Sequence, residues 1–203
     1  YDENREREVK SFISKYCSNK YSKVNYYNIY YANHIAITTN YRVLVENNWL
    51  DDLQYICEPT EYHEKRITAK FICDRGVSHE LVRHRVFSFA QESTRYCNYS
   101  KDKFGSELTF VKPSTLEDKE TYSYNRFYGA LELFENEYLI LLEEDWKPQE
   151  ARAILPNALK TEIVMTGFES DWKGFFKLRC DKAAHPDMQV LANKLKGLMN
   201  EEK

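Results

Sequence analysis

Residues 66–85 read RITAKFICDRGVSHELVRHR, and their order predicts a strand, a turn and a helix in succession. Ile67, Ala69, Phe71 and Cys73 fall on one side of an alternating run, the period of a strand with one buried face. Asp74-Arg75-Gly76 supplies the turn. Ser78 then suits the cap of a helix beginning SHELVRHR, because its hydroxyl can accept from the open amides of a first turn. Upstream, Val9, Phe12, Ile13, Tyr16 and Cys17 recur at helical spacing, and HIAITT at 34–39 alternates as a strand. Downstream, Tyr124, Phe127, Tyr128, Leu131, Phe134, Tyr138, Leu141 and Leu142 trace a long amphipathic helix that must stop before Pro148. Pro148 opens a short helix through EARAI, closed near Pro156. TEIVMTGF reads as a strand, and Ser170 or Asp171 caps a helix containing WKGFFKLR. Pro186 sits early in a final helix carrying Met188, Leu191, Leu195 and Leu198. Strands interspersed with helices, with no Gly, Ser or Pro-rich linker and no repeat, predict one α+β (mixed α/β) domain over 1–203, a central sheet with packed helices. The pattern leaves strand order open.

Composition narrows the function. With 203 residues, 42% hydrophobic and 15% aromatic, the chain can bury a sizeable core. Its longest apolar run is the five residues Tyr138 to Leu142, against the roughly 18 to 20 that span a bilayer, so no membrane partner is expected. The sequence starts at Tyr1 with no apolar signal core, so a few leading residues are expected to be missing and secretion has no support. A net charge of -3 gives no general attraction to nucleic acid. Five cysteines, never closer than 16 positions, suggest neither a disulfide framework nor a Cys-x-x-Cys metal site and fit a reducing cytoplasm. Half of the 16 tyrosines lie in the first 41 residues. An ordinary packed segment is preferred there over a base-stacking surface.

Against that acidic background, residues 83–103 hold Arg83, Arg85, Arg95, Lys101 and Lys103 against Glu92 and Asp102, a local charge of +3. On a helix at about 100° per residue, Arg83 and Arg85 point some ~200° apart, so they serve two ligands or two parts of one. A solvated basic helix end is the plain alternative. His79 and His84 enclose Glu80 in HELVRH, but histidines at i and i+5 do not share a helix face, so no metal is expected. His63, after Pro59-Thr60-Glu61-Tyr62, is either ligand-facing or structural.

The string RHRVFSFAQES, in which Arg83-His84-Arg85 is followed by seven residues and then Ser93, with Arg95 two further on, resembles the signature of flavin-dependent thymidylate synthases. His63, ARAILP with Arg152 and FFKLR with Arg179 stand in matching order, so the resemblance spans roughly residues 33–192. It implies a homotetramer in which FAD, dUMP and methylenetetrahydrofolate meet in sites shared between protomers. NADPH reduces the flavin, the methylene passes from folate to uracil C5, and the flavin supplies the hydride that yields dTMP. Carried over by position, His63, Arg83, His84, Arg85 and Gln91 bind FAD. Glu80, Arg83, Gln91, Glu92, Ser93, Thr94, Arg95, Arg152 and Arg179 line dUMP, with Arg179 catalytic at the pyrimidine.

Those roles make chemical sense. Guanidinium groups bind a dianionic phosphate bidentately, which suits Arg95 and Arg152, and the Ser93 hydroxyl adds a directional donor. A fixed cation such as Arg179 stabilises charge that develops as uracil C5 becomes nucleophilic. No protein nucleophile is implied: Cys97 lies beyond the motif and reads as a small packing residue, and Ser93 lacks a recognisable base. The chain departs from the family at Glu80, where Gln is usual, and in GFESDWKGFF, where flavin-holding Asn and Arg are usual. Lys173 by charge or Trp172 by stacking would have to substitute there. Two other readings remain: an FAD-binding relative without thymidylate activity, and a nucleic-acid module using the basic patch with Phe87, Phe89, Tyr96 and Tyr99 interleaved.

Overall fold

The computed structural model describes residues 3–29, 32–95, 107–117 and 121–201. Within them the chain groups into two compact units: 1–67 with 167–169, and 68–166 with 170–203.

In the first unit, helix α1 (Glu3–Cys17) buries Ile13 and Tyr16, while Val9 and Cys17, on the same predicted stripe, are exposed. Strands β1 (Lys23–Ile29) and β2 (Ala32–Thr38) pair antiparallel, with Val24 opposite Ile37 and Tyr26 opposite Ile35. The tyrosine-rich stretch is therefore partly a strand: Tyr27 stacks on Tyr62 at 3.9 Å and on His34 at 5.2 Å. Asn40 caps α2 (Tyr41–Glu46) by accepting from the Val43 amide. A 3-10 turn over Leu50–Tyr55 follows. Tyr16 donates to Asp52, which also takes the Lys15 ammonium. Burial, then the Asp52 carboxylate, drives the Tyr16 phenol above its ordinary range.

The second unit is built on a three-stranded sheet in the order β3 (Arg66–Asp74), β5 (Lys160–Phe168), β4 (Ser88–Gln91). β3 alternates as its sequence predicts, with Ala69, Phe71 and Cys73 buried. β4 and β5 run antiparallel, Ser88 opposite Thr166 and Gln91 opposite Ile163. Phe71 and Phe87 pack with Trp172 and Phe175 of α6 (Glu169–Arg179). α4 (Tyr122–Glu143), capped by Thr121, stops before Pro148 and joins a second core of Leu108, Tyr138, Ala151 and Leu159. Pro148 opens α5 (Pro148–Ala151), a 3-10 turn continues to Ile154, and α7 (Pro186–Glu201) buries Met188 and Ala192.

Three expectations are corrected. The helix after β3 is α3 (Arg75–Leu81), and its cap is Asp74, whose carboxylate accepts from the Val77 amide at 2.8 Å. Ser78 lies inside the helix, fully buried. α3 also ends at Leu81, so Arg83-His84-Arg85 occupy the turn after it, and neither the ~200° splay nor the i, i+5 argument applies to them. Ser170 and Asp171 do not cap α6, which starts one residue earlier at Glu169.

Candidate functional site

α3 carries the site on two of its side chains. Ser78 Oγ donates to the Arg75 carbonyl at 2.9 Å and accepts from Gln91 Nε2 at 2.9 Å, which ties β4 to the helix. Gln91 also reaches Thr161 Oγ1 at 3.3 Å, and the Arg75 guanidinium bridges Thr161 Oγ1 and the Glu92 carbonyl. Two residues on from Ser78, the Glu80 carboxylate accepts from Arg179 Nη1 at 2.6 Å and the Glu80 carbonyl accepts from Nη2 at 3.0 Å. The same guanidinium donates through Nε to His84 Nε2 at 2.9 Å. Ring edges close the cluster, with His84 at 5.1 Å from Phe175 and 6.2 Å from Phe87 between centroids. Burial, and then the Arg179 cation, pull the His84 imidazole down to about 4, so it is neutral at physiological pH.

Beyond β4, Arg152 Nη1 donates to Thr94 Oγ1 at 3.3 Å across 58 positions of sequence. The Arg95 amide donates to Ser93 Oγ, and its Nε to Gln149 Oε1, both at 3.3 Å. Glu92 continues the β4 ladder through its amide to the Glu162 carbonyl at 2.9 Å. Arg83 and Arg85 are exposed in the turn after α3. The second unit thus brings together residues from the motif, ARAILP and FFKLR. Its outer sheet face holds Glu162 between Lys70 and Lys160, whose hydrogen bonds lower that carboxyl to about 2.

His63 belongs to the first unit. Its Nδ1 accepts from the Thr60 amide at 3.0 Å, and its Nε2 lies 3.8 Å from Cys57 Sγ. With Phe12, Ile35, Leu44 and Tyr55 it lines a cavity of about 1040 Å³ in that unit.

Some supporting residues carried no sequence signal for a site. Ser78 was legible only as a cap, and Thr161 and Gln149 sit in a strand and a helix start. Trp172 is corrected: it is fully buried among Phe71, Phe87, Phe175 and Phe176, so it cannot stack on a ligand, while Lys173 is exposed. Phe87 is buried too, which removes one aromatic from the nucleic-acid patch. Tyr96, Cys97, Tyr99, Lys101, Asp102 and Lys103 lie outside the described residues. Among the described residues no group of three His, Cys, Asp or Glu is placed to hold a metal ion, and no helix is long and apolar enough to cross a membrane.

The sequence matches a family described as thymidylate synthase complementing protein over residues 59–202. Curated relatives named flavin-dependent thymidylate synthase include one from Corynebacterium aurimucosum, 36% identical over 136 residues, covering 63% of this chain and 55% of its own length. Another from Geobacter sulfurreducens is 31% identical over 118 residues, covering 58% of this chain and 49% of its own length. A third, from Pyrococcus abyssi, is 32% identical over 123 residues, covering 61% and 49%. The chain spans about half the length of the curated relatives it matches.

Proposed function

From the premise that the chain belongs to the thymidylate synthase complementing protein family, we propose that it serves the flavin-dependent reductive methylation of dUMP to dTMP. The observation that carries this reading is the junction at α3, where Gln91 bonds to Ser78 while Arg179 bonds to Glu80 and His84. Segments far apart in sequence converge there, and they are the ones the resemblance marks.

The donor set fits FAD. Arg83 and Arg85 present guanidinium groups beside a neutral imidazole, a combination suited to a pyrophosphate and a polar ring edge. FAD, when bound, supplies the hydride and the one-carbon relay chemistry. Arg83, His84, Arg85 and Gln91 would hold it, and His63, in the first unit, is carried in this reading by the sequence resemblance alone. For dUMP the reading assigns Arg95, Arg152 and Ser93 to the phosphate, with Glu92, Thr94, Arg83 and Gln91 around the nucleotide. Arg179 faces the pyrimidine and stabilises negative charge as it builds on the ring. Glu80 offsets part of that cation's charge while fixing its plane. Methylenetetrahydrofolate is the carbon donor and NADPH the reductant, and the working form is a cytoplasmic homotetramer acting on no nucleic acid.

The test is direct. Purified protein incubated with FAD and passed through gel filtration should keep flavin absorbance, and dUMP should perturb that spectrum. With methylenetetrahydrofolate and NADPH present, dTMP should form. Folded protein that retains no flavin would refute the reading, and flavin bound without dTMP formation would favour the relative lacking thymidylate activity.

A further inference from the structure

We propose that Glu80 is a positioning residue: acting through Arg179, it locks His84 in the tautomer that carries its proton on Nδ1, so this ring meets a ligand as a neutral hydrogen-bond donor.

The tautomer follows from the donor inventory. A guanidinium has only N–H donors and keeps its charge in proteins. The 2.9 Å bond from Arg179 Nε therefore makes His84 Nε2 an acceptor, and an accepting ring nitrogen carries no proton. In the neutral ring the proton is then on Nδ1. Nδ1 makes no hydrogen bond among the described residues, and the ring is half-buried rather than sealed in the core.

Glu80 supplies the hold. Of the three guanidinium nitrogens of Arg179, two donate to Glu80, one to its carboxylate at 2.6 Å and one to its carbonyl at 3.0 Å. The planar fork cannot turn its Nε–H away from His84 without breaking the charge-assisted bond to the carboxylate. The ring's own plane is set by Phe175, at 62°, and Phe87, at 85°. Burial and the adjacent cation oppose protonation, so the donor stays a donor without becoming a charge. The ligand this suits is one with an acceptor oxygen or an unprotonated ring nitrogen, as a flavin ring has. That last step rests on the flavin reading above, whereas the tautomer lock stands on the hydrogen bonds alone.

Imidazole nitrogen shifts in ¹⁵N-labelled protein decide the matter without any turnover. At pH 7.5, His84 should show a protonated Nδ1 and a bare Nε2. Glu80→Ala should let the proton exchange between the two nitrogens, whereas Glu80→Gln, which keeps an acceptor for Nη1, should preserve the wild-type pattern. FAD affinity, read by flavin fluorescence, should weaken about tenfold in Glu80→Ala and stay within about threefold in Glu80→Gln. If Glu80→Ala fails to fold, Arg179→Met, which keeps the bulk and removes the donor, should equally lose the bare Nε2 pattern. A wild-type ring protonated on Nε2, or a folded Glu80→Ala with the wild-type pattern, overturns the proposal. The expected nitrogen pattern in protein that binds no FAD would leave the lock standing and remove the flavin reading.

Discussion

Arg179 Nη1 and Glu80 Oε2, 99 positions apart in sequence, sit 2.6 Å from each other at the end of α3. Both side chains are largely covered, 17% and 32% exposed, so the pair draws on charge more than a fully solvated pair would. It also means that the cation proposed to act on the pyrimidine has a counter-charge beside it, and that protein groups on Glu80 and His84 fix its orientation.

Arg179→Ala should lower dTMP formation by ~10² or more, the scale of removing one preorganised electrostatic stabiliser. Initial rates at saturating FAD and dUMP isolate that effect from weakened binding. Arg179→Lys should recover little, because an ammonium cannot donate in one plane to Glu80 and His84 together. A lysine variant at near wild-type rate would contradict the role.

His84 gives the fold an acid sensitivity. Its folded value of about 4 lies below the ordinary 6.5, so the unfolded chain binds the proton first. The contribution is fully present above pH 6.5 and is lost as pH falls towards 4. Urea midpoints at pH 7.5 and pH 5 should fall for the wild type, and His84→Gln should show a smaller fall. An equal fall in midpoint between pH 7.5 and pH 5 in both proteins would show that His84 does not carry the effect.

Trp172 should behave as a core residue. Trp172→Ala should cost about 3–5 kcal/mol, or prevent folding, through the cavity left among Phe71, Phe87 and Phe175. Trp172→Phe should cost less, since it also removes an indole N–H that has no acceptor among the described residues. Denaturant titration with flavin content measured alongside separates packing from cofactor contact: Lys173→Ala should leave stability within about 0.5 kcal/mol.

Ser93→Ala should raise the KM for dUMP several-fold while leaving turnover at saturation, and Cys97→Ala should leave both near wild type. Mass spectrometry of the quenched reaction should find no nucleotide attached to either side chain. A covalent adduct on one of them, lost with all activity on substitution, would replace the flavin-only chemistry with a nucleophilic route.

Long periodic elements are legible in the sequence. β3 and β5 alternate in sequence as they do in burial, and α4 runs to within a few residues of the Pro148 barrier. The helix bearing the site was legible in kind but not in phase. Asp74 and Ser78 are both good cap residues, and the choice fell to Asp74 because β3 ends there with its carboxylate over the Val77 amide. The end of α3 carried no Gly or Pro, so nothing local separated SHEL from the following RHR. What ends the helix there coincides with tertiary contacts, the Arg179 bond to His84 and the seat of Phe87. β4, four residues long, was too short to show a period, and its place comes from pairing with β5.

Finally, β3 passes into α3 with no intervening loop, Asp74 being both the last strand residue and the cap. Such a joint has no slack for a change of length. One residue gained or lost between Phe71 and Val77 would either turn the α3 side chains by about 100° around the axis or exchange the two faces of β3. In the first case Ser78 and Glu80 would swing off Gln91 and Arg179 together; in the second Phe71 would leave the core. Along this part of the chain, spacing is as much a determinant of the site as residue identity, and tolerated insertions must fall elsewhere.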